Sequence, residues 1–310
     1  MKVFKSKRGR VTLYLACLLL LIVVLGFTYK SLPYEYKQPT KEKIYALKAR
    51  IEITSYQFDD GQNTVFADYS DKKILAIGDS QTAAYRWQYY LARLIHADIS
   101  THAKGGIGML AMVDGDRILS NTDGVGLDNT GRNNIARLSS KEVGDKDYII
   151  VMGLYNENDC FEKHRGSRYD MYPTDTTYCG QFNYMVKRIK EELSWANNTR
   201  CKLILATPHL FGKYPYADKD AYYYRNIGML DTLKVLSVVN DMEFCDLTQL
   251  AGIDSTNWNV FQSGKLLLES SPYYSMAQYP NNRDNLHLNQ RGHMKIAVAI
   301  AKWLTDNNVH

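Results

Sequence analysis

Lys73-Ile74-Leu75-Ala76-Ile77-Gly78-Asp79-Ser80-Gln81-Thr82-Ala83-Ala84 decides how the rest of the chain reads. Residues 74–77 form a short apolar run of the kind that makes a buried strand. Gly78 and Asp79 break it, and a helical pattern then runs from about Thr82 to His96. Ser80 is thereby set at the carboxyl end of a strand and ahead of a helix, where open α/β sheets place their ligands. A hydroxyl there can attack a carbonyl, because the first helical N–H groups and the helix dipole favour a developing oxyanion. Taken alone, the stretch reads equally well as a serine that caps the following helix.

Outward from this stretch, strand and helix signals alternate, the mark of a parallel sheet. Residues 97–103 form a plausible second strand, ending in Lys104-Gly105-Gly106-Ile107-Gly108. Residues 133–141 look helical, and 148–152 are a strong buried strand. A polar loop over about 154–178 leads to a helix over 181–196. Residues 202–206 are another buried strand, stopped by Thr207-Pro208. A helix within 222–239, a short strand over 243–247 and a closing helix over 289–306 complete the pattern. The expected fold class is α/β, a three-layer α/β/α arrangement around a parallel sheet.

The chain has 310 residues, 45% hydrophobic and 23% charged, which suits a large globular core and excludes general disorder. Lys2, Lys5, Lys7, Arg8 and Arg10 account for the whole formal excess of +5. The remainder is near neutral, which argues against a nucleic-acid partner. Residues 11–28, VTLYLACLLLLIVVLGFT, carry no charge and are just long enough to cross a bilayer. No good small-residue cleavage site follows them. Cys17 after Ala16 hints at a lipoprotein box, but Tyr14 and the continuing apolar run speak against it. The expected organisation is a cytoplasmic basic tail over 1–10, a transmembrane signal anchor over 11–28, a stalk over 29–70 and a catalytic domain over 71–310. The basic flank keeps the tail in the cytoplasm and the domain outside, with the membrane as a partner through the N-terminal helix.

Cys160, Cys179, Cys201 and Cys245 lie beyond the apolar segment, an even number in a compartment that permits disulfides. Their spacing fits no zinc site, and no metal or other cofactor is expected. The expected pairs are Cys160–Cys179, closing the polar loop, and Cys201–Cys245, linking two neighbouring strands.

Four positions at or beyond strand ends carry the chemistry. Ser80 is the first, and the glycine cluster 105–108 is the second, where the backbone can come close to a ligand. The third is Gly153-Leu154-Tyr155-Asn156-Glu157-Asn158-Asp159, where an asparagine amide can donate to an oxyanion. The fourth is Asp284-Asn285-Leu286-His287. Its carboxylate can hold the imidazole while the other ring nitrogen takes a proton from the serine.

On these blocks the sequence resembles the SGNH, or GDSL-type, serine hydrolases over roughly residues 71–308. Gly78-Asp79-Ser80-Gln81-Thr82 is similar to the family's GDSxT, and Asp284-Asn285-Leu286-His287 to its DxxH. The third block departs from the usual GxND: Leu154 stands in place of the glycine and Glu157 in place of the aspartate. The resemblance implies a flavodoxin-like sheet, a catalytic triad of Ser80, His287 and Asp284, and an oxyanion hole of the Ser80 and Gly106 N–H groups with the Asn156 amide. Gly108 and Asn158 stand as alternatives for the last two. The implied activity is a serine esterase working on an O-acylated small molecule or glycan, foremost an O-acetyl ester on carbohydrate. An O-acyltransferase acting on an envelope polysaccharide and a lipid esterase or lysophospholipase are the alternatives. Aromatic stretches such as Tyr214, Tyr216 and Tyr222–Tyr224 suit sugar stacking.

Overall fold

The computed structural model describes residues 47, 65–83, 86–103, 138–152, 165–175, 177–207, 219–253, 257–261 and 287–307. The chain divides into two compact units, Met1–Lys48 and Ala49–His310. Every described residue except Leu47 belongs to the second. Residues 11–28 lie outside the described set. Among the described residues no helix is long and apolar enough to cross a membrane.

Among the described residues, five parallel strands form the sheet: β1 (Lys73–Gly78), β2 (Asp98–Ala103), β3 (Tyr148–Met152), β4 (Lys202–Ala206) and β5 (Glu243–Cys245). Their order is β2-β1-β3-β4-β5, with Gly78 opposite both Ala103 and Met152. The chain therefore moves to one side of β1 for β2 and to the other for β3. The crevice at the carboxyl ends of β1 and β3 is the switch point at which such sheets bind ligands.

The central strands are buried along their length because helices cover both sheet faces. Ile74, Ala76 and Ile150 face one core, packed by Trp87 and Leu91 of α2 (Trp87–Ile95) and Ile296 and Ile300 of α8 (Gln290–Asp306). Leu75, Ile77, Ile149 and Val151 face the other, packed by Phe182 and Val186 of α4 (Tyr178–Trp195) and Leu233 and Leu236 of α5 (Lys219–Val239). Alternation along β1 thus produces the three layers expected from the sequence. The end of the stalk region packs on this domain: Tyr69 is fully buried, and its hydroxyl donates to the Leu304 carbonyl (3.1 Å).

Three local expectations are refined. The helix expected from about Thr82 to His96 is two helices, α1 (Ser80–Ala83) and α2. Gln88 of α2 donates its side-chain amide to the Thr82 carbonyl, so that carbonyl at the end of α1 is satisfied by a side chain. α3 (Ser140–Val143) falls at the end of the expected 133–141 helix, whose first residues lie outside the described set. β5 stops at Cys245, because Asp246 caps α6 (Leu247–Leu250) by accepting the Thr248 N–H (3.0 Å). A last short helix, α7 (Trp258–Phe261), precedes α8.

The disulfide expectations do not hold. Cys179, Cys201 and Cys245 are free thiols. Cys245 pairs in register with Ala206 at the carboxyl end of β4, whereas Cys201 precedes Lys202 at its amino end. Five residues of strand separate the two levels by about 16 Å, far beyond the roughly 4.4–6.8 Å a disulfide tolerates. The short strand β5 joins β4 only at its upper end, and this sets the register apart from the one the pairing needs. Cys179 keeps its hydrogen, directed at the Gly166 carbonyl (3.9 Å); Cys160 lies outside the described residues.

Candidate functional site

The turn that carries Ser80 is built by its two predecessors. Gly78 ends β1 against the Met152 carbonyl of β3, and a Cβ there would run into that oxygen and into Thr82 Oγ1. Only a residue without a side chain lets the first turn of α1 fold back so closely on the sheet. Asp79, 7% exposed, then caps α1. Its Oδ1 accepts the Gln81 N–H (2.9 Å), and its carbonyl accepts those of Thr82 (3.1 Å) and Ala83 (2.7 Å). Ser80 is therefore the first residue of the helix and not its cap, which answers the alternative reading of this stretch.

Behind the turn lies Tyr178, the first residue of α4, fully enclosed. Burial pushes its phenol up, and the neighbouring Cys179 and Asp79 push it further in the same direction. Thr177 starts that helix by accepting the Gly180 N–H (3.1 Å). The start of α4 is thus at the end of the sheet where β1 stops.

His287 reaches the same end by a different route. Tyr69, ahead of the foot of β1, is bonded to Leu304 near the end of α8, and Ala67 N–H donates to Thr305 Oγ1 (3.0 Å). α8 therefore runs antiparallel to β1, and its start lies at the carboxyl ends of the strands. Asn289 caps it by accepting the Gly292 N–H (3.0 Å), and its own N–H and side-chain amide bond to the Phe261 and Val260 carbonyls (both 2.7 Å). A Cβ at Gly292 would strike the Phe261 carbonyl and Leu288, so a glycine is needed where α7 meets α8. His287, partly buried, stands two residues before this cap.

Of the residues singled out in the sequence, the backbone of Ser80 and the residue His287 are brought to the same end of the sheet. Asp284, Gly106 and Asn156, with their alternatives Gly108 and Asn158, lie outside the described residues. Sequence reasoning missed Asp79 as a cap; an aspartate directly before a helical pattern is the ordinary signal for one. Tyr178 carried no signal, since a tyrosine opening a helix reads as packing. Among the described residues no group of three or more His, Cys, Asp or Glu side chains could hold a metal ion.

No family model matches the chain, and no curated protein matches it in sequence. Solved structures do match. A Lactobacillus plantarum protein is 16% identical with a TM-score of 0.47, over 79% of this chain and 99% of that one. An inhibitor-bound aryl esterase of M. smegmatis is 14% identical with a TM-score of 0.44, over 76% of this chain and 99% of that one. A carbohydrate acetylesterase family member of Sinorhizobium meliloti is 13% identical with a TM-score of 0.39, over 75% and 97%. Further matches carry SGNH or G-D-S-L names, so the structures this chain is similar to are in large part hydrolases of that type.

Proposed function

We propose that this chain is a serine esterase that cleaves O-acyl esters, foremost O-acetyl groups on carbohydrate, outside the cytoplasm and tethered by residues 11–28. One observation carries the reading: Ser80 opens a capped helical turn just past the end of β1 at the switch point of the sheet, and His287 precedes α8 at that same end. The GDSxT and DxxH motifs supply the residue types that acyl transfer needs.

In this reading Ser80 Oγ attacks the ester carbonyl while His287 takes its proton, and Asp284 steadies the imidazolium. The Ser80 and Gly106 N–H groups and the Asn156 amide receive the oxyanion. Collapse expels the alcohol, protonated by His287, and leaves an acyl-serine. Water, deprotonated by His287, then attacks that ester, and the acid departs as Ser80 regains its proton. Asp79 contributes by taking the N–H groups of Gln81, Thr82 and Ala83 for itself, so the Ser80 N–H is the one in that turn it leaves for the substrate.

The test is labelling with a fluorophosphonate probe alongside hydrolysis of 4-nitrophenyl acetate. Wild-type chain is expected to do both and Ser80→Ala neither, with unchanged circular dichroism. Labelling that persists at another serine would overturn the assignment. The location is tested by adding protease to intact cells: the domain should be digested and the first ten residues protected.

A further inference from the structure

The loop before α4 presents two guanidinium groups and an aromatic ring to solvent from a firmly held backbone. Arg165, Arg168 and Tyr169 are all exposed, Tyr169 to 70%. The Arg168 guanidinium stacks on one face of the Tyr169 ring, 4.8 Å from its centre. Two carboxylates of the same loop, Asp170 and Asp175, are engaged within it. Asp170 Oδ2 accepts from the Ser167 N–H (3.0 Å) and the Thr177 hydroxyl (2.8 Å), and Asp175 Oδ2 from the Met171 N–H (3.0 Å). Among the described residues neither Arg165 nor Arg168 forms an ion pair.

The backbone under these side chains is fixed. The Arg165 carbonyl accepts the Cys179 N–H (3.0 Å). Asn183, 4% exposed, donates its amide to the Arg168 and Asp170 carbonyls (2.9 and 2.7 Å) and accepts from Asn240 (2.7 Å). On the other side an Arg165 guanidinium nitrogen reaches toward α5, 4.0 Å from where a Cβ at Gly228 would stand. Asp170 and Asp175 stand close in sequence to the two arginines, yet they bond to the loop's own backbone and to Thr177. Here the aspartates build the loop and the arginines are left for something else.

We infer that Arg165, Arg168 and Tyr169 form a binding site for an anionic polysaccharide, the guanidinium groups taking its carboxylate or phosphodiester oxygens and the open face of Tyr169 a sugar ring. Guanidinium forks suit planar anions, and an arginine-backed aromatic ring suits the apolar face of a pyranose. The site rests on the esterase reading in one respect: it makes the substrate an acidic, O-acylated polymer. The link runs from the Arg165 carbonyl to the Cys179 N–H, in the first turn of α4.

The experiment measures binding, not turnover. Full-length Ser80→Ala chain is titrated with polygalacturonate (carboxylate), poly(glycerol phosphate) (phosphodiester) and neutral xylan, at low and physiological salt. Expected is an affinity for at least one polyanion about tenfold or more above that for xylan, weakened by salt. Arg165→Ala/Arg168→Ala should lose most of that difference, Tyr169→Ala should weaken binding further, and the Lys/Lys variant should recover part. The basic tail at residues 2–10 is present in every variant, so its own attraction cancels. The two polyanions tell a carboxylate preference from a phosphate one. Equal affinity for polyanion and xylan, undiminished binding by the Ala/Ala variant, or equally tight binding of single-stranded DNA would each overturn the proposal. None of these readings uses the serine, so failure of the esterase reading is visible separately in the labelling assay.

Discussion

His102 Nδ1 lies 3.0 Å from Glu142 Oε1, joining the end of β2 to the first turn of α3. The imidazole is buried to 97% and the carboxylate is part of a capping box with Ser139. Burial works to raise the Glu142 carboxyl, but its bonds to His102 and Ser139 outweigh this and hold it below its ordinary value. The pair closes β2 just ahead of the glycine block. Glu142→Ala should therefore cost about 1–3 kcal/mol, since a buried polar ring loses its hydrogen bond to this carboxylate. The sign of the pH effect follows from the lowered folded value: the contribution is complete above the ordinary value of 4.5 and lost as pH falls through the folded one. Urea denaturation of wild type should show a steeper loss of stability as pH falls below 4.5 than Glu142→Gln does.

Gly78→Ala puts a methyl group where Thr82 Oγ1 and the Met152 carbonyl already stand. Either β1 and β3 part or the turn shifts. The expected cost is about 1–3 kcal/mol, as for other overpacked cores, together with loss of fluorophosphonate labelling. Full labelling at wild-type stability would show that the turn has slack.

Asp79→Ala should remove about 0.5–2 kcal/mol through the lost cap, whereas Asp79→Asn, which keeps the accepting oxygen, should lose far less. If Asp79 orders the donors around Ser80, the alanine variant loses kcat more than KM and the asparagine variant recovers it. Equal loss in both variants would mean that the negative charge matters and not the hydrogen bond.

His287→Ala should fall to about the rate of Ser80→Ala, and the double variant should lose little more, because residues of a triad act as one unit. Additive losses in rate would place His287 outside the reacting group.

Cys179, Cys201 and Cys245 should titrate as thiols after unfolding without reductant. In the native chain they should react slowly at neutral pH. Burial pushes Cys179 up to about 11 and Cys201 up to about 12, and Cys245 further still. Mass mapping that finds Cys201 linked to Cys245 would contradict the register of β4 and β5.

The strands most legible in the sequence were those buried on both sides. Ile74 to Ile77, Tyr148 to Met152 and Leu203 to Ala206 are unbroken apolar runs because helices cover both faces. β2, Asp98-Ile-Ser-Thr-His-Ala103, is an edge strand among the described residues and shows only partial burial, so its signal is weaker. The split between α1 and α2 was hidden because hydrophobic spacing continues across it; what divides them is hydrogen bonding by Asp79 and Gln88, which periodicity does not record. The Cys201–Cys245 expectation failed for a related reason. Adjacency of β4 and β5 could be read from alternation, but register depends on where a three-residue strand meets its neighbour. For the site, the motif residues announced themselves by type and spacing, while the cap and the burial of Tyr178 depend on which elements meet.

β5 has a further consequence. Among the described residues it is the outermost strand on its side of the sheet, it is only three residues long, and the chain turns at once into α6. An edge so brief offers too few free backbone groups to recruit a strand from another molecule. At high protein concentration, that brevity would protect neighbouring copies from joining sheet to sheet along this edge.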